Sequence, residues 1–242
     1  MSQLLFMTSA VKPAESIHVK FKDFDKRLVE TKASIKNVLS YNYFNRLVLV
    51  DASDTEILTK NEIEKFEEKG LEIEQLRFQQ LDEEITKFGK SFGEIQITNY
   101  MLDNSKFIRE TDSFIKLSAR YTLKNHATIL PQISNINNYF VNYHPILIRD
   151  FFPFTSTIFF KSTVNFYQKN LGDCASECSN ERDGWLESVY FRKLKNIRKK
   201  QLFIDYPIFE GIASGTGKGV INNHSYKRKF LSYLGFLSFS YD

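Results

Sequence analysis

The feature that most constrains the fold is an alternation, in the first half of the chain, of short apolar runs with longer segments of helical periodicity. The order is strand 3–11, helix 25–42, strand 45–54, a helix and a strand within 60–78, helix 92–105 and strand 114–125. Such runs are typical of buried strands and amphipathic helices. The alternation predicts an α/β fold with a mostly parallel, Rossmann-related central sheet and helices on both faces.

The second half of the chain is less regular. Segment 145–171 carries two strand-like runs and then a helix, 180–201 is a helix with an acidic start and a basic end, and 202–219 is a strand followed by a Gly/Ser loop. No internal repeat, low-complexity tract or linker interrupts the 242 residues. We therefore expect a single domain.

Charge and cysteine usage exclude several classes of protein. A formal net charge of +4 suits a nucleotide phosphate or a membrane surface, but it is too small and too evenly spread to predict nucleic-acid binding. Cys174 and Cys178 have no further Cys or His pair nearby, which predicts free thiols in a reducing cytoplasm and not a zinc site. Neither a signal peptide nor an apolar run of about 20 residues is present, so we expect a cytoplasmic protein, at most peripheral to the inner face of a membrane.

Three predicted strands end in small, acidic or basic residues. These ends are Thr8–Val11, Asp51–Asp54 and Lys116–Tyr121. Ligands of open α/β sheets bind outside the carboxyl ends of the strands. We therefore expect the three ends to form the rim of a nucleotide pocket.

Four motifs, LVLVDASD, GKSFGE, FIKLSARYTLKN and DGWLESVYFRKL, resemble in order and spacing those of small bacterial glycosyltransferases of capsule and O-antigen assembly. In relatives the third motif commonly reads Lys, two residues, Gly-Arg-Tyr, and Ala119 stands here in place of the glycine. The resemblance covers residues 3 to about 200. It implies a GT-A-like fold, with 1–130 as the nucleotide-sugar-binding half and 131–223 as the acceptor and catalytic half. It also implies a nucleotide-sugar donor, a UDP-sugar being favoured, and a glycan acceptor that is often lipid-linked.

The resemblance also assigns the first two strand ends to the nucleoside of the donor. Thr8, Ser9 and Ala10 would line the ribose and base, and Asp51 would accept a hydrogen bond from a base N–H or a ribose hydroxyl. The alternative for Asp51 is a cap on the loop backbone. Lys90, at a predicted helix start, would help the backbone N–H groups hold an anion, or it is a solvated lysine in an ordinary turn.

Lys116 and Arg120 are four residues apart on a predicted strand and are expected to point to one side. Many GT-A enzymes place an Asp-x-Asp metal motif after this strand, whereas this chain supplies cations there. Lys and Arg can neutralise a donor diphosphate directly, so we expect no divalent metal to be required. The alternative is a structural ion pair with a neighbouring carboxylate. Tyr121 is expected to contact the acceptor.

Glu187 and Asp183 are the candidates for the catalytic base. They lie four residues apart near the predicted start of one helix, and an inverting transferase needs a carboxylate to deprotonate the acceptor hydroxyl. Glu187 ranks first because the resemblance centres on its LES motif. Trp185 is a candidate for stacking on an acceptor sugar, with a core position as the alternative. The alternative for both carboxylates is that they only complement the helix dipole.

Two later segments complete the expectations. The loop 211–219 is a candidate for closing over the donor, although it does not match a P-loop. Segment 224–242 is basic and then aromatic, which suits contact with an anionic membrane, packing on the core or an oligomer contact.

The function predicted from the sequence is transfer of a sugar from a nucleotide-diphosphate donor to a glycan acceptor, with inversion. The alternatives are a nucleotidyl- or phospho-sugar transferase and a non-catalytic nucleotide- or glycan-binding partner of another transferase.

Overall fold

The computed structural model describes residues 3–14, 19–143, 153–212, 219–221 and 226–242. The strands are β1 (Leu4–Ser9), β2 (Arg46–Asp51), β3 (Glu72–Arg77), β4 (Ser113–Ser118), β5 (Tyr121–Leu123), β6 (Tyr139–Tyr143), β7 (Phe154–Thr155), β8 (Phe159–Thr163), β9 (Lys199–Leu202), β10 (Phe209–Ile212), β11 (Gly219–Ile221) and β12 (Ser238–Tyr241). The helices are α1 (Phe24–Ser40), α2 (Lys60–Glu67), α3 (Asp82–Phe88), α4 (Lys90–Asn104), α5 (Lys106–Arg109), α6 (His126–Ile133), α7 (Val164–Asn170), α8 (Leu186–Leu194) and α9 (Tyr226–Tyr233). Two 3-10 turns span Cys174–Glu177 and Arg182–Gly184.

A large central sheet has the strand order β3-β2-β1-β4-β8-β6-β12-β9, and β7 pairs with β6 beside this path. Strands β3, β2, β1 and β4 are parallel to one another. From β4 onward each neighbouring pair is antiparallel, so β6 and β9 share the direction of β1 whereas β8 and β12 oppose it. The expected parallel sheet is thus found as a mixed sheet in which most strands point one way.

Helices cover both faces of the sheet, as the sequence predicts, because its central strands are apolar on both sides. On one face, Leu47 and Leu49 belong to a core shared with α1, α2 and α6. On the other face, Val48 and Val50 belong to a core shared with α4, α7 and α8. A smaller sheet of order β11-β10-β5 adjoins the first core, which contains Phe209 of β10. The whole forms a single α/β domain.

Local signals start several helices where the sequence leads one to expect them. Asp23 caps α1, since its side chain accepts a hydrogen bond from the Lys26 N–H at 3.0 Å. Thr59 and Glu62 form a capping box at the start of α2. Gly89 joins α3 to α4 with φ +87°, a conformation that favours glycine. This turn fixes the direction in which α4 begins.

The chain order reverses between β1 and β4. From β1 the chain runs through α1 to β2 and then to β3 on one side, whereas β4 lies on the other side of β1. The loops after β1 and β4 therefore separate at the carboxyl edge of the sheet. Such a reversal point is where ligands of open α/β sheets bind.

Two of the predicted elements are wrong in detail. The expected strand 114–125 is two strands, because the chain turns at Ala119 and Arg120 and β5 pairs with β10 in the smaller sheet. The expected helix 180–201 is limited to α8, since Trp185 is extended (φ −67°, ψ 142°) and β9 begins at Lys199.

Within the described ranges, no helix is both long enough and apolar enough to cross a membrane.

Candidate functional site

A cavity of about 220 Å³ opens at the carboxyl edge of the sheet, at the reversal point between β1 and β4. Its walls come from the ends of β1 and β4, from α1, from the first turn of α4, from the segment before β8 and from the start of α8. Side chains of both signs face it, namely Arg27, Lys90, Glu94, Arg120 and Glu187. Both halves of the chain thus contribute to one site.

The end of β1 forms part of the cavity wall, where the resemblance places the donor nucleoside. Thr8, Ser9 and Ala10 all line the cavity. The Thr8 hydroxyl donates to Glu94 Oε1 at 2.9 Å, and the Ser9 hydroxyl donates to Asp51 Oδ2 at 2.6 Å. Both hydroxyls are thus oriented by carboxylates of neighbouring elements.

Asp51 lies behind this wall, so the structure corrects its expected position. Its side chain is fully buried and does not line the cavity. Its two carboxylate oxygens accept hydrogen bonds from the hydroxyls of Ser9 and Ser53 and from the backbone N–H groups of Val11, Ser53 and Thr55. The alternative reading, a cap on the loop backbone, describes this carboxylate.

Lys116 is also behind the cavity wall, 1% exposed. Its ammonium donates to Glu94 Oε1 at 2.5 Å, to the Thr157 carbonyl at 2.7 Å and to the Ser118 hydroxyl at 3.0 Å. These contacts use all of its N–H groups. Lys116 therefore forms the structural ion pair that the sequence left as the alternative, and the turn after β4 separates it from Arg120.

Glu94 is the partner that sequence reasoning did not select, and it lines the cavity with 27% of its side chain exposed. Burial opposes its ionisation, but the Lys116 ammonium and the hydrogen bonds from Lys116 and Thr8 outweigh burial and lower the pKa of the Glu94 carboxyl. Glu94 is therefore an anion whose charge is already offset by Lys116.

Arg120 lines the cavity, as expected, and Arg27 of α1 lines it as well. Arg27 is 3% exposed, and it donates to the carbonyl oxygens of Ala10 and Phe21, both at 2.7 Å. Arg120 donates to the Ile212 carbonyl at 2.9 Å. Among the described residues, neither guanidinium has a carboxylate within ion-pair distance.

Both arginines are less stable as cations in this cavity than in water, and the charge of Arg120 contributes to this at Arg27. Burial, and then the positive charge of Arg120, lower the pKa of Arg27 to about 9, although Asp51 opposes the shift. Burial likewise lowers the pKa of Arg120, opposed by Tyr121 and Glu94. A lowered pKa means that the cationic form is less favourable here than in water. An anion in the cavity would reverse that penalty.

The first turn of α4 adds Lys90, Ser91 and Gly93 to the lining. Helix N-termini carry unpaired N–H groups and a positive dipole end. The Lys90 ammonium lies 5.8 Å from the centre of the Trp185 ring. Trp185 itself does not line the cavity, so it supports Lys90 and is not placed to stack on a ligand there.

Glu187, on the first turn of α8, lines the cavity together with Tyr121. Its carboxylate accepts a hydrogen bond from the Thr157 hydroxyl at 3.4 Å. Burial raises the pKa of Tyr121, which Arg120 opposes and Glu187 reinforces. Asp183 lies apart from this cavity, exposed in the 3-10 turn that precedes α8. The two candidate bases are therefore not on one helical face, and the structure brings only Glu187 to the cavity.

No group of three or more His, Cys, Asp or Glu side chains is arranged to hold a metal ion in the part of the chain that is described. The one Asp-x-Asp sequence of the chain is Asp23-Phe24-Asp25, at the start of α1, where Asp23 caps the helix. The expectation of metal independence stays a prediction. Of the candidate loop 211–219, residues 213–218 lie outside the described ranges.

Arg27 and Glu94 are the two charged lining residues that sequence reasoning missed. Arg27 follows a helix cap in a segment that reads as an ordinary amphipathic helix, and nothing local marks it as buried. Glu94 had a weak signal, since a carboxylate one turn into α4 does not suit the helix dipole as well as one in the first turn. Their pairing with distant residues is visible only in the fold.

The chain matches no known protein-family model, and no characterised protein is detectably similar to it in sequence. The resemblance carried by the four motifs therefore stays a prediction.

Proposed function

We propose that the protein is a glycosyltransferase that moves a sugar from a nucleoside-diphosphate donor to a glycan acceptor. The observation that carries this proposal is the pair Arg27 and Arg120, which share one cavity at the reversal point of the sheet without a carboxylate partner in the described residues. Like charges held together in a desolvated site are costly unless a ligand compensates them. A diphosphate is a compensating ligand of the right charge, and arginine binds phosphate with matched geometry.

The charges of the remaining lining residues support a donor of this kind. Glu94 is neutralised by Lys116, so among the described lining residues Arg27, Arg120 and Lys90 face one carboxylate without an ion-pair partner, that of Glu187. The first turn of α4 adds backbone N–H groups. In this arrangement the diphosphate lies against the cations, and the nucleoside extends along Thr8, Ser9 and Ala10.

The proposed reaction is a direct displacement at the anomeric carbon of the donor sugar. The acceptor hydroxyl oxygen forms the new bond to that carbon while the bond to the diphosphate oxygen breaks. The bonding electron pair leaves with the nucleoside diphosphate, and the hydroxyl proton passes to the Glu187 carboxylate. The arginines stabilise the negative charge that develops on the leaving group. Attack from the opposite face inverts the anomeric centre.

The experiment is a thermal-shift screen with UDP, GDP and CMP and their common sugar conjugates, each with manganese and with EDTA. A ligand that binds the folded state at a hundredfold excess over its Kd stabilises it by about 2.7 kcal/mol, which is roughly 5–10 °C for a chain of this size. A shift that survives EDTA supports neutralisation by arginine. A shift that requires manganese supports a nucleotide site and contradicts metal independence. No shift with any nucleotide contradicts the proposal and favours a glycan-binding module.

A matched pair of variants locates the binding site. Arg120→Gln removes a cavity guanidinium, whereas Arg109→Gln removes the same charge from an exposed position at the end of α5. We expect Arg120→Gln to weaken nucleotide binding by about tenfold to a hundredfold, the range for one charged hydrogen bond, and Arg109→Gln to leave it unchanged. Equal binding by both variants would place the nucleotide elsewhere.

A further inference from the structure

Six large apolar side chains are exposed at one end of the molecule, and we call them the aromatic patch. They are Phe203, Tyr226, Phe230, Tyr233, Leu234 and Phe236, with exposed fractions of 67%, 86%, 62%, 72%, 39% and 43%. Tyr226, Phe230 and Tyr233 recur at helical spacing on α9 and share one face of that helix. The Phe203 ring lies against Gly235, where an added Cβ would come within 3.0 Å of it. The patch is therefore contiguous from the end of β9 across the turn that follows α9.

Positive charge surrounds the aromatic patch. Lys227 and Lys229 are exposed on α9 between the aromatic residues, and Lys200 is exposed on the neighbouring strand β9. None of these three lysines forms an ion pair with a described residue. The sequence contains no Asp or Glu from 211 to 241. The exposed Asp205 lies two residues after Phe203, and its carboxylate accepts a hydrogen bond from the Gln132 side chain at 3.2 Å. The surface thus combines exposed aromatic rings with lysines that form no ion pair with a described residue.

The aromatic patch lies at the same edge of the sheet as the cavity. β12 opposes β6; its first residue, Ser238, pairs with Val141 in the middle of β6, and the preceding Leu237 carbonyl accepts from the Asn142 N–H, so the turn before β12 lies towards the carboxyl end of β6. Leu202, the last residue of β9, pairs with Ser238 as well. Because β6 and β9 share the direction of β1 and β4, the turn carrying the patch and the mouth of the cavity lie at one edge. Four strand spacings separate β4 from β9, about 19 Å.

We propose that the aromatic patch and its lysines dock the protein on a membrane surface that carries anionic lipid headgroups. Aromatic side chains insert at the boundary of headgroups and acyl chains, and lysines beside them are attracted to the negative surface potential. This docking is independent of the proposed sugar transfer, since it requires no residue of the cavity.

A second copy of the chain is the competing occupant, and the charges disfavour it. Pairing of two patches about a twofold axis brings Lys227 and Lys229 of each copy towards those of the other. The edge strand β9 begins with Lys199 and Lys200, and lysines on an exposed edge oppose the addition of another strand. An anionic lipid surface complements the same lysines.

The test is sedimentation of the purified full chain with vesicles of phosphatidylcholine alone or with about one-third phosphatidylglycerol. We expect partition into the anionic vesicles, weakened by salt. Lys227→Gln with Lys229→Gln should lower partition about 30-fold, from the usual contribution of a lysine near an anionic surface. Phe230→Ser with Tyr233→Ser should lower it on the order of tenfold. All four side chains are exposed, so the fold is expected to persist, which the melting temperature checks.

The matched control is Lys65→Gln with Lys69→Gln at exposed positions of α2 and the turn after it. It changes the net charge by the same amount far from the patch and should leave partition unchanged. If both lysine pairs lowered vesicle partition equally, the effect would come from net charge alone, and the proposal would be overturned. Absence of vesicle binding would also overturn it. A concentration-dependent dimer that is abolished by Phe230→Ser with Tyr233→Ser would overturn it as well, because that result would assign the patch to a second copy of the chain.

Discussion

Replacing Lys116 by methionine tests whether this lysine supports the cavity or binds a ligand. Methionine keeps most of the length of the side chain and removes the ammonium, so the Glu94 carboxylate loses its ion-pair partner at 2.5 Å. Breaking a buried pair on one side costs about 3–5 kcal/mol. Glu94 keeps 27% exposure to the cavity, which places the expected loss at the lower end, about 3 kcal/mol. For a chain of this size, that loss lowers Tm by roughly 6–12 °C.

The assay is urea unfolding followed by circular dichroism in a double-mutant cycle. Glu94→Gln removes the carboxylate charge, so Lys116→Met with Glu94→Gln leaves no buried charge unpaired. We expect the double variant to be less destabilised than the sum of the single variants by about 1.5 kcal/mol or more. Additivity within about 0.5 kcal/mol would refute the ion-pair reasoning.

Lys161 provides the control, because it is a second buried lysine, 4% exposed, without a carboxylate partner in the described residues. Its ammonium donates to the carbonyl oxygens of Ile133 and Ser134 at the end of α6, at 3.2 and 2.7 Å. Lys161→Met should therefore be additive with Glu94→Gln. A cycle that gives the same coupling for Lys161 would show that the coupling reports general destabilisation and not the Lys116–Glu94 pair.

Three further predictions concern the carboxylates. Glu187→Gln should lower turnover of the sugar transfer at least about a hundredfold while nucleotide binding is retained. Asp183→Asn should leave turnover near normal, because Asp183 lies outside the cavity. Turnover is measured with a sugar donor that raises the melting temperature in the thermal-shift screen. Asp51→Asn should lower the free energy of unfolding by about 2 kcal/mol or more, because both oxygens of Asp51 accept buried hydrogen bonds and asparagine replaces one of them with an NH2 group. Unchanged stability with weakened nucleotide binding would favour a ligand role instead. The lowered pKa of Glu94 means that its contribution to stability is complete above the ordinary value of 4.5 and is lost as the pH falls below it, so the stability difference between the wild type and Glu94→Gln should shrink between pH 7 and about pH 3 in urea titrations.

The elements of the first half were predictable because their signals are local. Apolar runs gave β1 and β2, a cap and periodicity gave α1, and Gly70, with φ +83°, marks the end of α2 before β3. The strand order, and with it the reversal point between β1 and β4, was not predicted, but the rule that ligands of open sheets bind at the carboxyl ends of strands placed the strand ends at one rim. This explains why Thr8, Ser9, Ala10, Arg120 and Tyr121 were expected at a site that the structure assembles. Lys90 and Glu187, which also line it, were expected from predicted helix starts and from the motif resemblance.

Errors arose where a distant contact decides the local structure. The turn that separates Lys116 from Arg120 allows Tyr121 to pair with Gly211, about 90 residues away in sequence. At the start of α8, the Leu186 N–H donates to the hydroxyl of Ser91 at 2.9 Å, a residue 95 positions earlier in the sequence. No property of either segment alone reports such a partner. The same limit applies to charge, because periodicity shows that Lys116 is buried without showing that Glu94 neutralises it.

The charged residues of this site form two layers, one directly behind the cavity wall and one that lines the cavity. Lys116 and Asp51, directly behind the cavity, have their hydrogen-bonding capacity used by the protein itself. Arg27 and Arg120 line the cavity itself, and the hydrogen bonds they make with described residues go to backbone carbonyl oxygens, which orient the guanidinium groups without forming an ion pair. Carbonyl oxygens satisfy N–H donors without neutralising a cation, so both guanidinium groups keep their positive charge. A site organised in this way favours a small polyanion over a neutral glycan, and for that reason nucleotide binding is the property on which the proposed function depends first.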